Sequence, residues 1–120
     1  MGFVYAQTEV TNITGGKESY CMPFLVDTGA TDTVIPANEL EKLGVKRESK
    51  QNFELADGSI VTYDKGYAFL RINGEKVVAN VIFGEESVGP LLGVTALESA
   101  GFIVDPVHQI LKKVAALSLK

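Results

Sequence analysis

Two dipeptides in the middle of the chain, Asp57-Gly58 and Asn73-Gly74, constrain its fold more than any other feature, because each lies between short runs rich in Val, Ile, Thr, Tyr and Phe. Asp-Gly and Asn-Gly reach positive φ at little cost and reverse a chain between paired strands. Hairpins are therefore expected with arms at 53–56 and 59–64, and at 67–72 and 75–83. A third is expected around Gly15-Gly16-Lys17, joining 3–13 to 18–26, and further strands over 102–104 and 109–114 flank Asp105-Pro106. Helices are short: 37–43, ended by Gly44, and 95–100, ended by Gly101, with Thr95 as N-cap. The pattern predicts an all-β chain with two brief helical interruptions.

A length of 120 residues suits one domain, 1–120, with one core. Fifteen acidic against eleven basic residues give a net charge of −4, and the cations are scattered. That argues against a nucleic-acid partner. No apolar run approaches the roughly 18 residues of a membrane span, and no basic start leads into a hydrophobic stretch, so neither membrane nor secretion is expected and the reading is cytoplasmic. Met1-Gly2 is followed by Ala6 where a myristoylation signal wants Ser or Thr. Asn12-Ile13-Thr14 fits a glycosylation acceptor by chance in an unsecreted chain. One cysteine, Cys21, and one histidine, His108, exclude an intrachain disulfide and zinc sites built from Cys and His. No metal or other cofactor is expected, so chemistry must rest on carboxylates, hydroxyls or backbone.

The two helical segments match each other. Leu40-Glu41 followed by Gly44 lies over Leu97-Glu98 followed by Gly101 at an offset of 57 residues. The same offset places Phe24-Leu25-Val26-Asp27 over Val81-Ile82-Phe83-Gly84, apolar run over apolar run. Two related halves are implied, and the second carries Gly84 where the first carries Asp27.

Asp27-Thr28-Gly29-Ala30 follows the apolar run Phe24-Leu25-Val26. A carboxylate at the end of a buried strand is costly unless hydrogen bonds or a charge receive it, which singles out Asp27. Gly29 permits close approach of another chain, and the Thr28 hydroxyl can bond to a neighbouring loop. The plain alternative for three such letters is an Asx-turn leaving a strand.

Phe24 to Thr31, the hairpin with Ala56-Asp57-Gly58 at its tip, and Leu91-Leu92-Gly93 leading into a short helix together resemble the retropepsin-like aspartic proteases, including uncharacterised prokaryotic members. The resemblance covers about residues 3 to 115. It implies a closed barrel-like acid-protease fold and an obligate symmetric homodimer, with one catalytic Asp27 from each chain. Asp27, Thr28 and Gly29 match the family motif position for position. Thr28 would grip the other subunit's loop, and Gly29 would offer backbone to the substrate. Residues 54–60 would form a flap over an extended peptide, with Leu55, Ala56, Asp57, Gly58 and Ser59 in contact with it; Ala30, Thr31, Asp32, Leu91 and Leu92 would line subsites. Two departures stand out. Retroviral members usually carry an acid after the motif Ala and an Arg after the second-half Gly, where this chain has Thr31 and Val94, and its flap tip is less glycine-rich.

Peptide hydrolysis by carboxylates alone needs two of them, one to take a proton from water and one to polarise the carbonyl. Gly84 stands at the repeat position and Asp32 lies past the turn, so the partner carboxylate is expected from a second copy. Two other functions compete: a catalytically silent homodimer that binds extended peptides, and a phosphotransfer protein using the Asp-Thr-Gly loop. The latter's folds need alternating helices that this chain lacks. The remaining candidates have structural readings: Cys21 as a buried thiol, His108 as a turn or strand-surface residue, Tyr5, Tyr20, Tyr63 and Tyr67 as sheet residues, and Glu85-Glu86 as a charged loop.

Overall fold

The computed structural model describes residues 3–114. Nine strands and two short helices follow in the order β1 (Tyr5–Asn12), β2 (Tyr20–Asp27), β3 (Thr33–Pro36), α1 (Ala37–Lys42), β4 (Ser49–Glu54), β5 (Ile60–Ile72), β6 (Glu75–Gly84), β7 (Leu91–Gly93), α2 (Val94–Ala100), β8 (Phe102–Asp105) and β9 (Ile110–Lys113). Strands run β1-β2-β7-β3-β6-β5, and β5 pairs back onto β1, which closes a six-stranded barrel. β4 hangs outside the ring on β5 alone, and β8 and β9 form a separate antiparallel pair. Phe24, Ile35, Leu70, Ile72 and Leu92 fill the interior, with Leu40 and Leu97 plugged in from the two helices. The fold is all-β and closed, as the sequence predicts.

The repeat is written into the strand register. β3 pairs β6 through Val34 with Ile82, Ile35 with Phe83 and Pro36 with Gly84; β2 pairs β7 through Leu25 with Leu91, Val26 with Leu92 and Asp27 with Gly93. Shifting each residue by 57 positions converts one set into the other. The antiparallel pair Val34 with Leu91 maps onto itself, so a pseudo-twofold axis passes between them.

Several local expectations need correction. The predicted arms 59–64 and 67–72 are one continuous strand, β5, whose Gly66 packs so closely against the Lys46 carbonyl that a side chain has no room. The turn at Asn73-Gly74 has two positive-φ residues, at 47° and 90°. At Asp57-Gly58 only Gly58 is left-handed, at 86°, and the loop takes three residues. Thr95 does not cap α2: the helix starts at Val94 behind Gly93, and carbonyls of the loop after β2 receive its first N–H groups. Cys21 is exposed on the polar outer face, opposite Glu9 in the β1–β2 register. His108 sits in the exposed turn between β8 and β9, 2.8 Å from Asp105 Oδ2.

β4 is anchored at its base by Asp64, which accepts from Lys50 Nζ at 2.8 Å and Arg47 at 2.7 Å. These two hydrogen bonds hold the Asp64 carboxyl below the usual carboxylate range. Because the folded value is depressed, the anchorage is complete above the ordinary Asp value of about 3.9 and is lost as pH falls through the lower one. Amide protection in β4 is therefore expected to drop under strongly acid conditions. Asp57 at the hairpin tip is depressed in the same direction by its bonds from Ser59, so the test is a difference. Hydrogen-exchange protection of β4 in Asp64→Asn should already be low at neutral pH and change less with acid; profiles identical to wild type would remove Asp64 from this role.

Candidate active site

β2 delivers Asp27 to the end of the barrel and stops there. The chain turns at once: Ala30 N–H donates to the Asp27 carbonyl at 3.1 Å, and Gly29 N–H donates to Asp27 Oδ1 at 2.9 Å. The Asx-turn foreseen as the plain alternative is thus present, and it fixes the orientation of the carboxylate. A Cβ at Gly29 would lie 3.2 Å from that same oxygen, tight enough to disturb it. Asp27 is half-buried, while Thr28 and Gly29 are exposed at the rim.

The turn is tied down from the pseudo-symmetric half. Gly93 lies beside Asp27 in the β2–β7 register, and an added Cβ there would stand 2.5 Å from the Asp32 carbonyl carbon and oxygen and 2.7 Å from the Thr31 oxygen. No side chain fits. Val94 N–H donates to the Ala30 carbonyl at 2.8 Å and Thr95 N–H to that of Thr31 at 3.3 Å, so α2 is capped by the turn that follows Asp27. Thr31 and Val94 thus join this junction through backbone where retroviral relatives were expected to use an ion pair. Thr33, which sequence reading passed over, is 1% exposed, and its Oγ1 accepts the Gly93 N–H at 3.1 Å. Its signal was available: alternation along β3 puts Thr33 on the same inward face as Ile35.

The remaining candidate residues separate into three places. Thr31 and Asp32 line a hollow of about 230 Å³ beneath α2, together with polar groups of Tyr67, Asn80, Thr95 and Ser99 and the apolar Val78 and Ala96. Leu55 lines a second, apolar cavity of about 300 Å³ between the β4–β5 hairpin, β3 and the end of β6. Ala56, Asp57, Gly58 and Ser59 form the exposed hairpin tip, where Asp57 Oδ1 accepts from the Ser59 N–H at 2.9 Å and its hydroxyl at 2.6 Å. Leu91 is half-buried beside Val34, but Leu92 is wholly inside the core. The expectation that Leu92 touches substrate is therefore corrected: strand alternation turns it inward. Among the described residues no group of three His, Cys, Asp or Glu side chains is placed to hold a metal ion.

At the position related to Asp27 by the pseudo-twofold, Gly84 is buried, and a Cβ would meet Val34 Cγ1 at 2.5 Å. The barrel thus presents one motif carboxylate, and its internal counterpart is a glycine where a side chain would have to displace that of Val34.

Comparisons with known proteins agree with this architecture. The solution structure of the protease of simian foamy virus (mac) superposes with a TM-score of 0.58 at 20% identity, over 78% of this chain and 91% of that one. The crystal structure of a retropepsin-like aspartic protease from Rickettsia conorii gives a TM-score of 0.50 at 23% identity, over 87% and 85%. No curated protein sequence matches the chain. Residues 13–99, which hold the Asp27 turn, the hairpin over 54–60 and the start of α2, match the family described as "gag-polyprotein putative aspartyl protease", and the chain belongs to that family of retropepsin-like aspartic proteases.

Proposed function

We propose that the chain is a homodimeric aspartic endopeptidase whose water-activating dyad is Asp27 from each of two copies. The observation that carries this reading is the asymmetry of the pseudo-twofold. Asp27 is held in a half-exposed turn, while its internal counterpart is a glycine, Gly84, buried against the Val34 side chain and carrying no carboxylate. A chain that uses carboxylates to cleave an amide must then find its second carboxylate outside itself, and a true twofold axis supplies an identical one.

Two like charges in close contact share a proton, which divides their roles. The ionised carboxylate takes a proton from water as the water oxygen bonds to the scissile carbonyl carbon, and the protonated one donates to the carbonyl oxygen. The tetrahedral diol then collapses: one carboxyl proton passes to the amide nitrogen, the other carboxylate takes a proton from a diol hydroxyl as the C–N bond breaks, and a new carboxyl and a new amine leave with the shared proton restored. The peptide would lie extended beneath the 54–60 hairpin, using main-chain hydrogen bonds as an added strand does. Thr28, exposed at the rim, would reach the other copy's turn. The outer face of the β8–β9 hairpin, with Ile103 at 52% and Ile110 at 54% exposure, offers apolar surface for the second copy to cover.

Incubation with a mixed peptide library, read by mass spectrometry, tests the reading. New termini are expected, whereas a silent peptide-binding dimer or a phosphotransfer protein generates none. Activity should also depend on concentration: below the dimer dissociation constant, halving the protein lowers the total rate about fourfold, because the site assembles only in the dimer. A rate that falls strictly twofold, with a monomeric mass in sedimentation throughout, would refute a shared site.

A further inference from the structure

The apolar cavity beneath the 54–60 hairpin has one charged group at its rim, the exposed Glu85. Its walls are Val34, Phe53, Leu55, Val61, Ile82 and Val88, and the polar side chains in its lining are Tyr63 and Glu85. Tyr63 is packed against Phe53, with ring centroids 6.0 Å apart, and donates its hydroxyl to Glu85 Oε1 at 3.1 Å. The carboxylate is thereby held at a cavity whose other walls are hydrocarbon. No lysine or arginine lines the cavity to neutralise it. Lys65, two residues from Tyr63 on β5, lies 3.5 Å from Gln51 Oε1, and Lys50 and Arg47 are both bonded to Asp64.

We propose that Glu85 makes this cavity a selective pocket for a lysine or arginine side chain of the bound peptide. Such side chains carry an apolar stem that suits the walls and a cation that suits the carboxylate. Glu85 has one oxygen bonded to Tyr63 and the other available to a donor. The neighbouring segments add the same sign: 54–60 carries Glu54 and Asp57, 85–90 carries Glu85 and Glu86, and neither carries a basic residue. Tyr63 is a positioning residue, because it acts through Glu85.

The inference rests on the peptide-binding reading of the cleft, and its test separates the two. In the library digest, the wild type is expected to enrich Lys or Arg roughly tenfold over Glu at one position near the scissile bond, as a hydrogen bond between charged groups allows. Glu85→Gln should erase that enrichment, Glu85→Lys should invert it toward acidic residues, and Tyr63→Phe should reduce it while leaving apolar preferences in place. Glu86→Gln should keep it. Binding is read separately on Asp27→Asn protein, using fluorescent peptides identical except for a central Lys or Glu. Tighter binding of the Lys peptide, lost in the Glu85→Gln, Asp27→Asn double variant, supports the pocket even if no cleavage is ever seen, in which case the endopeptidase reading alone falls. Cleavage without Lys or Arg enrichment, enrichment that survives Glu85→Lys, or failure of the Lys peptide to bind better than the Glu peptide overturns the inference.

Discussion

Asp27→Asn is expected to lower peptide cleavage by at least about a hundred- to ten-thousand-fold, the range carried by one positioned acid or base. The fold should be untouched. An asparagine side-chain oxygen still accepts the Gly29 N–H that the carboxylate accepts at 2.9 Å, so the turn keeps its shape while losing both the base and the transferable proton. Thermal stability within about 0.5 kcal/mol of wild type is the matching expectation for an isosteric change at a half-buried position that preserves hydrogen bonding. Mixing sharpens the test. If each active site takes one Asp27 from each copy, equal amounts of refolded wild type and variant leave about one quarter of the dimers fully wild type, so activity falls to about a quarter of that of an all-wild-type sample. A fall to one half would mean that each chain works alone, and activity near wild type in the pure variant would move the chemistry elsewhere.

How much of this was legible beforehand depended on whether the cause was local. Asn73-Gly74 behaved as its chemistry dictates, with both residues at positive φ, because a two-residue turn is decided within four residues of chain. Asp57-Gly58 also marked a hairpin, but Gly58 alone is left-handed, and the Asp57 carboxylate caps Ser59 instead of taking a positive φ. Repeat spacing, a property of the whole chain, reached further than any single motif. The 57-residue offset implied two related halves, which the matched pairing of β2 with β7 and β3 with β6 displays, and it identified Gly84 as the counterpart of Asp27.

What stayed hidden was set by contacts distant in sequence. Gly66 looked like a break because nothing nearby in the chain reveals that the Lys46 carbonyl passes over it. Cys21 opens an apolar run in the sequence but faces outward by pairing, and Leu92 belongs to the Leu91-Leu92-Gly93 motif but turns into the core. Asp27 itself was legible, because a carboxylate ending an apolar strand is unusual wherever it lies; the division of its surroundings into a hollow beneath α2 and an apolar cavity was not, because helix α2 and the β4–β5 hairpin reach them from segments distant in sequence.

Gly93→Ala carries the largest expected effect on stability. The backbone at Gly93, φ −84° and ψ 163°, is ordinary extended geometry, so alanine meets no conformational strain there. The obstacle is contact: the new methyl would stand 2.5 Å from the Asp32 carbonyl group and 2.7 Å from the Thr31 oxygen, all backbone atoms that no rotamer change can move. Relief requires the 27–33 turn to separate from β7, and that motion breaks the bonds from Gly93 N–H to Thr33, from Val94 N–H to Ala30 and from Thr95 N–H to Thr31. Overpacking of this kind typically costs roughly 1–3 kcal/mol, which for a chain of this size is a fall in Tm of roughly 5–15 °C. Activity should fall further than stability accounts for, because the displaced turn is the one that aims Asp27. Thr33→Val distinguishes the two contributions: it keeps the side chain's shape but removes the acceptor for the Gly93 N–H, so it should lower Tm without the steric displacement and retain more cleavage per folded molecule than Gly93→Ala. A Gly93→Ala protein with wild-type Tm and turnover would show that the turn and β7 move independently, and the pseudo-symmetric junction would then not be what fixes the Asp27 carboxylate.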